Sequence, residues 1–249
     1  MEKDKAKEIA ISVKDLHVYY RDMGRFSLKK GLKHRGNSGK VFKALKGVTF
    51  DVPKGEILGI CGKNGSGKST LLRAISGIFS ADKGSIDLHG NSISLLSIGV
   101  GFQKQLTGYE NIFLSGLLLG YTVEQVQEKL DEIIKFSELG DFVHKPVRSY
   151  SSGMYSKLAF SITAILETDI MLIDEVLSVG DVHFKEKSYN KMKELISDEN
   201  RTVVIVSHSS KTLMSLCDRV IWIHNGLIMD QGEPKEIVKK YEEFMRNEE

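Results

Sequence analysis

Gly62-Lys63-Asn64-Gly65-Ser66-Gly67-Lys68-Ser69-Thr70 is the stretch on which the reading of this chain turns. Gly62 to Ser69 fits G-x-x-x-x-G-K-[ST], in which small residues let successive backbone N–H groups wrap a phosphate while the following helix presents its positive end. A strand-like run from Glu56 to Cys61 leads in, and apolar Leu71, Leu72 and Ile75 follow at helical spacing. Strand, glycine loop and helix are the setting the pattern requires. Lys68 is placed to hold the β- and γ-phosphates of a nucleotide. Ser69 is placed to give its hydroxyl to Mg²⁺, which keeps several waters and takes one or two protein ligands beside phosphate oxygens.

Further along, Ile170-Met171-Leu172-Ile173 runs straight into Asp174-Glu175. Buried strands rarely end in acids unless a metal or a reaction needs them. Asp174 suits Mg²⁺, directly or through water. Glu175 is then left to orient and deprotonate an attacking water, an acid-and-base arrangement for hydrolysis of ATP.

The rest of the chain supplies an α/β frame. Val48 to Val52 reads as a strand, and Thr202-Val203-Val204-Ile205-Val206 joins Ile170 to Ile173 as a short continuous apolar run, the mark of parallel strands covered on both faces. Thr122-Val123-Glu124-Gln125 makes a capping box ahead of Val126, Leu130, Ile133 and Ile134, so a helix is predicted from about Thr122 to Ser137. Val220 to His224 and Leu227 to Met229 flank Asn225-Gly226, the dipeptide of a two-residue hairpin. Ile237, Val238, Tyr241, Phe244 and Met245 form the stripe of a last amphipathic helix.

Composition narrows the class. In 249 residues, 35 Lys and Arg against 33 Asp and Glu give +2, with 41% hydrophobic and 27% charged residues. That is ordinary globular composition, and it excludes a disordered chain, a collagen-like repeat and a wholly basic nucleic-acid coat. No apolar run approaches the ~18 residues of a membrane helix, and the start Met1-Glu2-Lys3-Asp4-Lys5 has no signal-peptide pattern, so the chain is expected to stay in the cytosol. Cys61 and Cys217 lack zinc-site spacing and read as buried small hydrophobes. The charge is uneven. Residues 21–46 hold nine Lys or Arg and one acid, Asp22, for +8, leaving −6 for the remainder. Punctuated by glycines, this stretch reads as a loop or short-helix insertion, either simply solvated or drawn to phosphate-bearing partners, membrane headgroups or a phosphorylated cargo.

The order of motifs resembles the ATPase subunit of ABC transporters. Tyr150-Ser151-Ser152-Gly153-Met154 is similar to that family's LSGGQ signature, Gln103 resembles the Q-loop glutamine, Ser178-Val179-Gly180-Asp181 the D-loop, and His208 the switch histidine after a strand. The likeness runs from about Ile9 to Gly232. It implies a single domain over 1–249: a phosphate-loop NTPase with a RecA-like core (about 1–102 and 167–249), a mostly parallel sheet, antiparallel β elements and a helical subdomain (about 103–166). It also implies ATP and Mg²⁺ as cofactors, with ATP contacts from Gly62, Lys63, Asn64, Gly65, Ser66, Gly67, Lys68, Ser69 and Thr70. Ser69, Gln103 and Asp174 are expected at the metal. Glu175, His208 and Gln103 are expected to act in hydrolysis, with Asp181 in the D-loop. Tyr20 looks like the aromatic that stacks on adenine, with Tyr19 and Phe42 as rivals.

The same resemblance implies a homodimer. Ser151, Ser152, Gly153 and Met154 offer a second anion site that one molecule cannot bring to its own Lys68, so two copies face head to tail over two nucleotides. Ser152 and Met154 depart from glycine and glutamine of LSGGQ, which alters polar contacts and implies slow turnover. The phrases Gly108-Tyr109-Glu110-Asn111-Ile112 and Val176-Leu177-Ser178-Val179-Gly180-Asp181, with the basic insertion, are similar to the branch exporting teichoic acids, O-antigens and capsular polysaccharides. That branch implies two polytopic membrane subunits, a lipid-linked glycopolymer as cargo, and a place on the cytoplasmic face of the cell membrane. The extra C-terminal carbohydrate-binding domain of some members is expected to be absent. Another cargo, such as a drug or small lipid, is the nearest rival, and a ribosome- or DNA-associated ATPase the more distant one.

Overall fold

The computed structural model describes residues 8–21, 41–96, 101–174, 181–198 and 201–247. Two sheets organise it. The larger has the order β5 (Ile93–Leu96), β6 (Ile170–Asp174), β7 (Thr202–Val206), β3 (Ile57–Cys61), β8 (Arg219–His224) and β9 (Leu227–Gly232), parallel throughout except for β9. The smaller is antiparallel, with β1 (Ile9–Arg21) between β2 (Val41–Pro53) and β4 (Lys83–Asp87).

The continuous apolar runs are explained by what covers each face. On β6, Ile170 and Leu172 enter a core shared with the smaller sheet and α1 (Lys68–Ile75), whereas Met171 and Ile173 enter a core against α4 (Ser152–Ile165) and α5 (Val182–Ile196). On β7, Val204 and Val206 divide from Val203 and Ile205 in the same way. A strand alternates its side chains, so one buried on both faces has no polar positions. A third cluster lies among α2 (Gly108–Leu118), α3 (Val123–Ser137) and α4, and includes Ile112, Val126, Leu130, Ile133, Leu158 and Ile162. Two short 3₁₀ turns, Gly140–His144 and Val147–Ser149, connect α3 to α4.

Local signals explain the ends. Thr122 caps α3 by accepting from the Gln125 N–H, and the Gln125 side chain accepts from the Thr122 N–H at 2.8 Å, a reciprocal capping box. Asn225 and Gly226 both have positive φ, 49° and 80°, as a tight hairpin between β8 and β9 requires. Past α6 (Ser210–Leu216), α7 (Pro234–Asn247) buries Ile237 and Val238 beside Trp222 and packs Tyr241 and Phe244 on the same cluster. Both cysteines are free thiols, pushed up to about 12 by burial. Among the described residues no helix is long and apolar enough to cross a membrane.

The basic insertion is shorter than its charge pattern suggests. Val41 to Lys46 already belongs to β2, with Phe42 opposite Tyr20 and Lys43 opposite Tyr19. Backbone pairing accepts any side chain that faces water, so Lys43 and Lys46 sit in a strand although their density reads as loop. Residues 22–40 lie outside the described residues.

The β8–β9 turn braces the glycine loop. The Gly226 N–H donates to the Ser66 carbonyl at 2.9 Å, and the Gly226 carbonyl accepts from the Lys46 N–H at 2.9 Å. A Cβ on Gly226 would come within 2.5 Å of the Ala44 carbonyl oxygen. Gly226→Ala is therefore expected to cost at least about 1 kcal/mol in chemical denaturation. An unchanged midpoint would show that the turn yields without consequence.

Candidate nucleotide site

Three adjacent strands of the larger sheet, β6, β7 and β3, bring their C-terminal ends to one edge. Past β3 comes the glycine loop, Asp174 closes β6, and His208 follows β7. Outside the carboxyl ends of parallel strands is where open α/β sheets place their ligands. A cleft of about 340 Å³ opens there, lined by Asn64, Gly65, Gly67, Lys68, Ser69, Thr70, Asp174, His208 and the aromatic pair Tyr20 and Phe42.

The loop is tightly determined. Gly62 has a φ of +150°, and a Cβ there would lie 2.1 Å from the Ile223 carbonyl and 2.7 Å from the Ser66 hydroxyl. Only glycine lets β3 pass this close to β8. The Ser66 N–H closes a turn onto the Lys63 carbonyl at 3.1 Å. Helix α1 then starts at Lys68 with Gly67 at its cap position and no side-chain cap, so the positive end of the helix faces the cleft without a covering side chain. Lys68 is only 5% exposed; its ammonium donates to the Gly62 and Lys63 carbonyls at 2.7 and 3.0 Å, which curls the loop around the charge. The Ser69 hydroxyl donates to Asp174 Oδ1 at 3.4 Å, joining the loop to the end of β6.

At the other end of the cleft Tyr20 and Phe42 stack at 6.4 Å between centroids, and the Tyr20 hydroxyl lies 3.0 Å from Thr70 Oγ1. Phe42 is 60% exposed, a large apolar ring left in water. Tyr19 is turned elsewhere: its hydroxyl lies 3.1 Å from His17 Nδ1, and the Lys43 ammonium sits over its ring.

Other residues singled out by sequence lie apart from this cleft. Ser151 caps α4, accepting from the Met154 N–H at 3.2 Å, and neither it, Ser152 nor Gly153 lines the cleft of its own chain. Met154 packs on the helical cluster formed by α2, α3 and α4, and so presents no polar group in place of glutamine. Asp181 caps α5, accepting from the Phe184 N–H at 3.0 Å. Its carboxyl is drawn down to about 2 chiefly by Lys157, whose ammonium lies 2.7 Å away. Glu175 and Ser178 to Gly180 lie outside the described residues.

Gln103 is exposed at the turn before α2 and does not line the cleft. Its backbone is held by a residue to which the branch phrase gave no structural role. Asn111, fully buried, accepts from the Gln103 N–H at 2.8 Å and donates to the carbonyls of Gln103, Leu106 and Thr107. The signal was present in the phrase around Tyr109 and Glu110, where an asparagine on the inner side of a helix start has no reason to be apolar-buried unless it serves a neighbouring loop. Asn111→Leu should cost about 1–3 kcal/mol of stability, because the Gln103 turn loses its partners. Equal urea midpoints for Asn111→Leu and wild type would contradict this bracing.

Comparison with known proteins bears on the same residues. The family model described as ABC transporter matches residues 45–178. The chain is 40% identical to the O-antigen export system ATP-binding protein RfbB of Klebsiella pneumoniae, over 95% of this chain and 92% of that protein. It is 43% identical to the RfbB of Myxococcus xanthus and 44% identical to the teichoic acids export ATP-binding protein TagH of Bacillus anthracis, over 85% and 89% of this chain. It spans only 48% and 40% of those two longer relatives. Among solved structures, a dimeric post-hydrolysis ATP-binding cassette bound to ADP and phosphate has a TM-score of 0.69 at 21% identity, covering 90% of this chain and 98% of that one, which shows the fold. With a family model over half its length and a full-length relative at this identity, the chain belongs to the ABC transporter family and carries its nucleotide-binding ATPase fold.

Proposed function

We propose that this protein is the ATP-hydrolysing subunit of an exporter of lipid-linked cell-surface polysaccharide, working as a homodimer beneath two polytopic membrane subunits on the cytoplasmic face of the membrane. The observation that carries the reading is the buried Lys68 ammonium at the mouth of a strand-end cleft, with Ser69 and Asp174 on one side and an aromatic ledge on the other. A buried cation curled into backbone carbonyls is suited to a polyphosphate, and a ledge of stacked rings to a flat base. The cargo follows from the relatives, whose names give O-antigen or teichoic acid export.

The donor set fits Mg²⁺. Ser69 and Asp174 offer hard oxygens 3.4 Å apart, and among the described residues no group of three or more His, Cys, Asp or Glu side chains can hold a metal. A cation here depends on phosphate oxygens and water for its remaining ligands, as Mg²⁺ does. When bound it neutralises charge on the phosphates. Lys68 and the loop N–H groups from Gly65 to Thr70 orient those phosphates, and Tyr20, with Phe42 beside it, stacks on the base. Glu175 accepts the proton of the attacking water, and His208 contacts the γ-phosphate from the end of β7. Gln103 enters the cleft as the helices α2 to α4 swing towards it.

Ser151 supports the dimer. It stands at the start of α4, away from its own Lys68, so the γ-phosphate reaches it only in the cleft of a second copy. Closure over two ATP molecules is then driven by what differs between ATP and ADP, because a ligand shifts a conformational equilibrium only through unequal binding of its states. The +8 stretch of residues 21–46 lies on the same chain as a contact for anionic membrane headgroups.

Lys68→Ala is expected to weaken ATP binding by roughly tenfold or more, the loss of a charged hydrogen-bonding partner. Glu175→Gln should keep ATP affinity while turnover falls by about 10²- to 10⁴-fold, the range for losing a general base. Steady-state hydrolysis and titration with a fluorescent ATP analogue read both. Wild-type turnover by Glu175→Gln would remove the base assignment, and unchanged affinity in Lys68→Ala would remove the cleft.

A further inference from the structure

We propose that Lys157 is a positioning residue for ATP hydrolysis: by gripping Asp181 and Glu138 it fixes the signature helix α4 against α3 and α5, so that Ser151 at its start is held in one place to receive the γ-phosphate bound by a second copy. The inference rests on the proposed ATPase reading of the cleft and deepens it.

Four charges alternate across three helices. The Lys157 ammonium, on α4, lies 2.7 Å from Asp181 Oδ2 and 3.1 Å from Glu138 Oε2. Glu138, the left-handed cap residue of α3 (φ 58°), also meets the Lys187 ammonium of α5 at 2.9 Å, and Lys187 donates to the Phe136 carbonyl at 2.9 Å. The order Asp181, Lys157, Glu138, Lys187 ties α3, α4 and α5 at one point.

Beneath the charges lie three rings. Phe136, Phe160 and Phe184 pack pairwise with centroids 5.8 to 6.1 Å apart, and Phe184 is fully buried. The Lys157 ammonium stands 5.0 Å from the Phe184 ring centre and that of Lys187 4.5 Å from Phe136. Rings on one side exclude water and add their own attraction for cations, so these pairs are worth more than the same pairs on an open surface. The Lys157 side chain is accordingly only 14% exposed.

Geometry gives the tie its direction. Ser151 caps the helix that carries Lys157, about two turns away along one continuous run of backbone hydrogen bonds. Asp181 divides its oxygens, Oδ1 to the Phe184 N–H of its own helix and Oδ2 to Lys157 of the signature helix. Movement of α4 is thereby felt at the N-terminus of α5. A passive staple would hold the fold together equally well, and the test separates the two.

Lys157→Met keeps an unbranched stem over Phe184 and removes the charge; Asp181→Asn keeps a good cap and removes its charge. The expected result is a kcat lower by roughly five- to tenfold for each, about 1–1.4 kcal/mol of lost transition-state stabilisation, with ATP affinity changed by less than about twofold. The double variant should be no slower than the slower single one, since both remove the same pair. Lys157→Arg should recover most of the rate. Wild-type rate in Lys157→Met, multiplying effects in the double variant, or a rate loss that follows the fraction unfolded in both charge-removing variants would each overturn the inference while leaving the ATPase reading intact. A wild-type protein that binds and hydrolyses no ATP would overturn both.

Discussion

The pairing of β6, β7 and β3 as adjacent parallel strands is the constraint from which the site follows. Asp174 lies opposite Val206, and β7 in turn runs beside β3 from Val203 to Val206. Parallel strands run in one direction, and in this register the glycine loop, the acid after Ile173 and His208 are delivered to one edge by backbone pairing. Close packing on both faces holds the register, because a slip by one residue would exchange Ile170 and Leu172 with Met171 and Ile173 between two differently shaped cores. Lys68 can then be buried with two carbonyls around it, and Ser69 can reach Asp174.

Much of this arrangement is legible in the sequence where the physics is local. The capping box at Thr122 and Gln125, the Asn225-Gly226 turn and the unbroken apolar runs of β6 and β7 each depend on a few neighbouring residues, and the structure has them in those roles. The glycine loop is legible for the same reason. The motif that carries its glycines is contiguous, although the steric limits on Gly62 and Gly67 come from Ile223 of β8 and Ala44 of β2. The family likeness seen in the order of motifs is the one that the relatives show across nearly the whole chain.

What was not legible depends on partners distant in sequence. Lys43 and Lys46 look like loop residues until Tyr19 and His17 are seen opposite them on β1. The antiparallel sheet is obscured by irregular register, since β1 shifts between Val13 and Leu16, where Asp15 takes a positive φ and its N–H finds Thr49. Tyr20 and Phe42 could not be ranked by spacing because the structure places both at the cleft, as a cross-strand pair. Asn111 and Lys157 were hidden for a further reason: each is a polar residue in a helix whose value lies in bonds to another segment. The same holds for Gln103, whose motif gives its identity but not the exposed turn on which it stands.

Intact-complex mass after gentle purification from detergent-solubilised native membranes tests the central claim most directly. The account predicts two copies of this chain with two multi-spanning membrane subunits, and glycan-lipid eluting with them. Recovery without membrane subunits, in company with ribosomal or DNA-bound material, would contradict it and leave a nucleotide-binding protein of another kind.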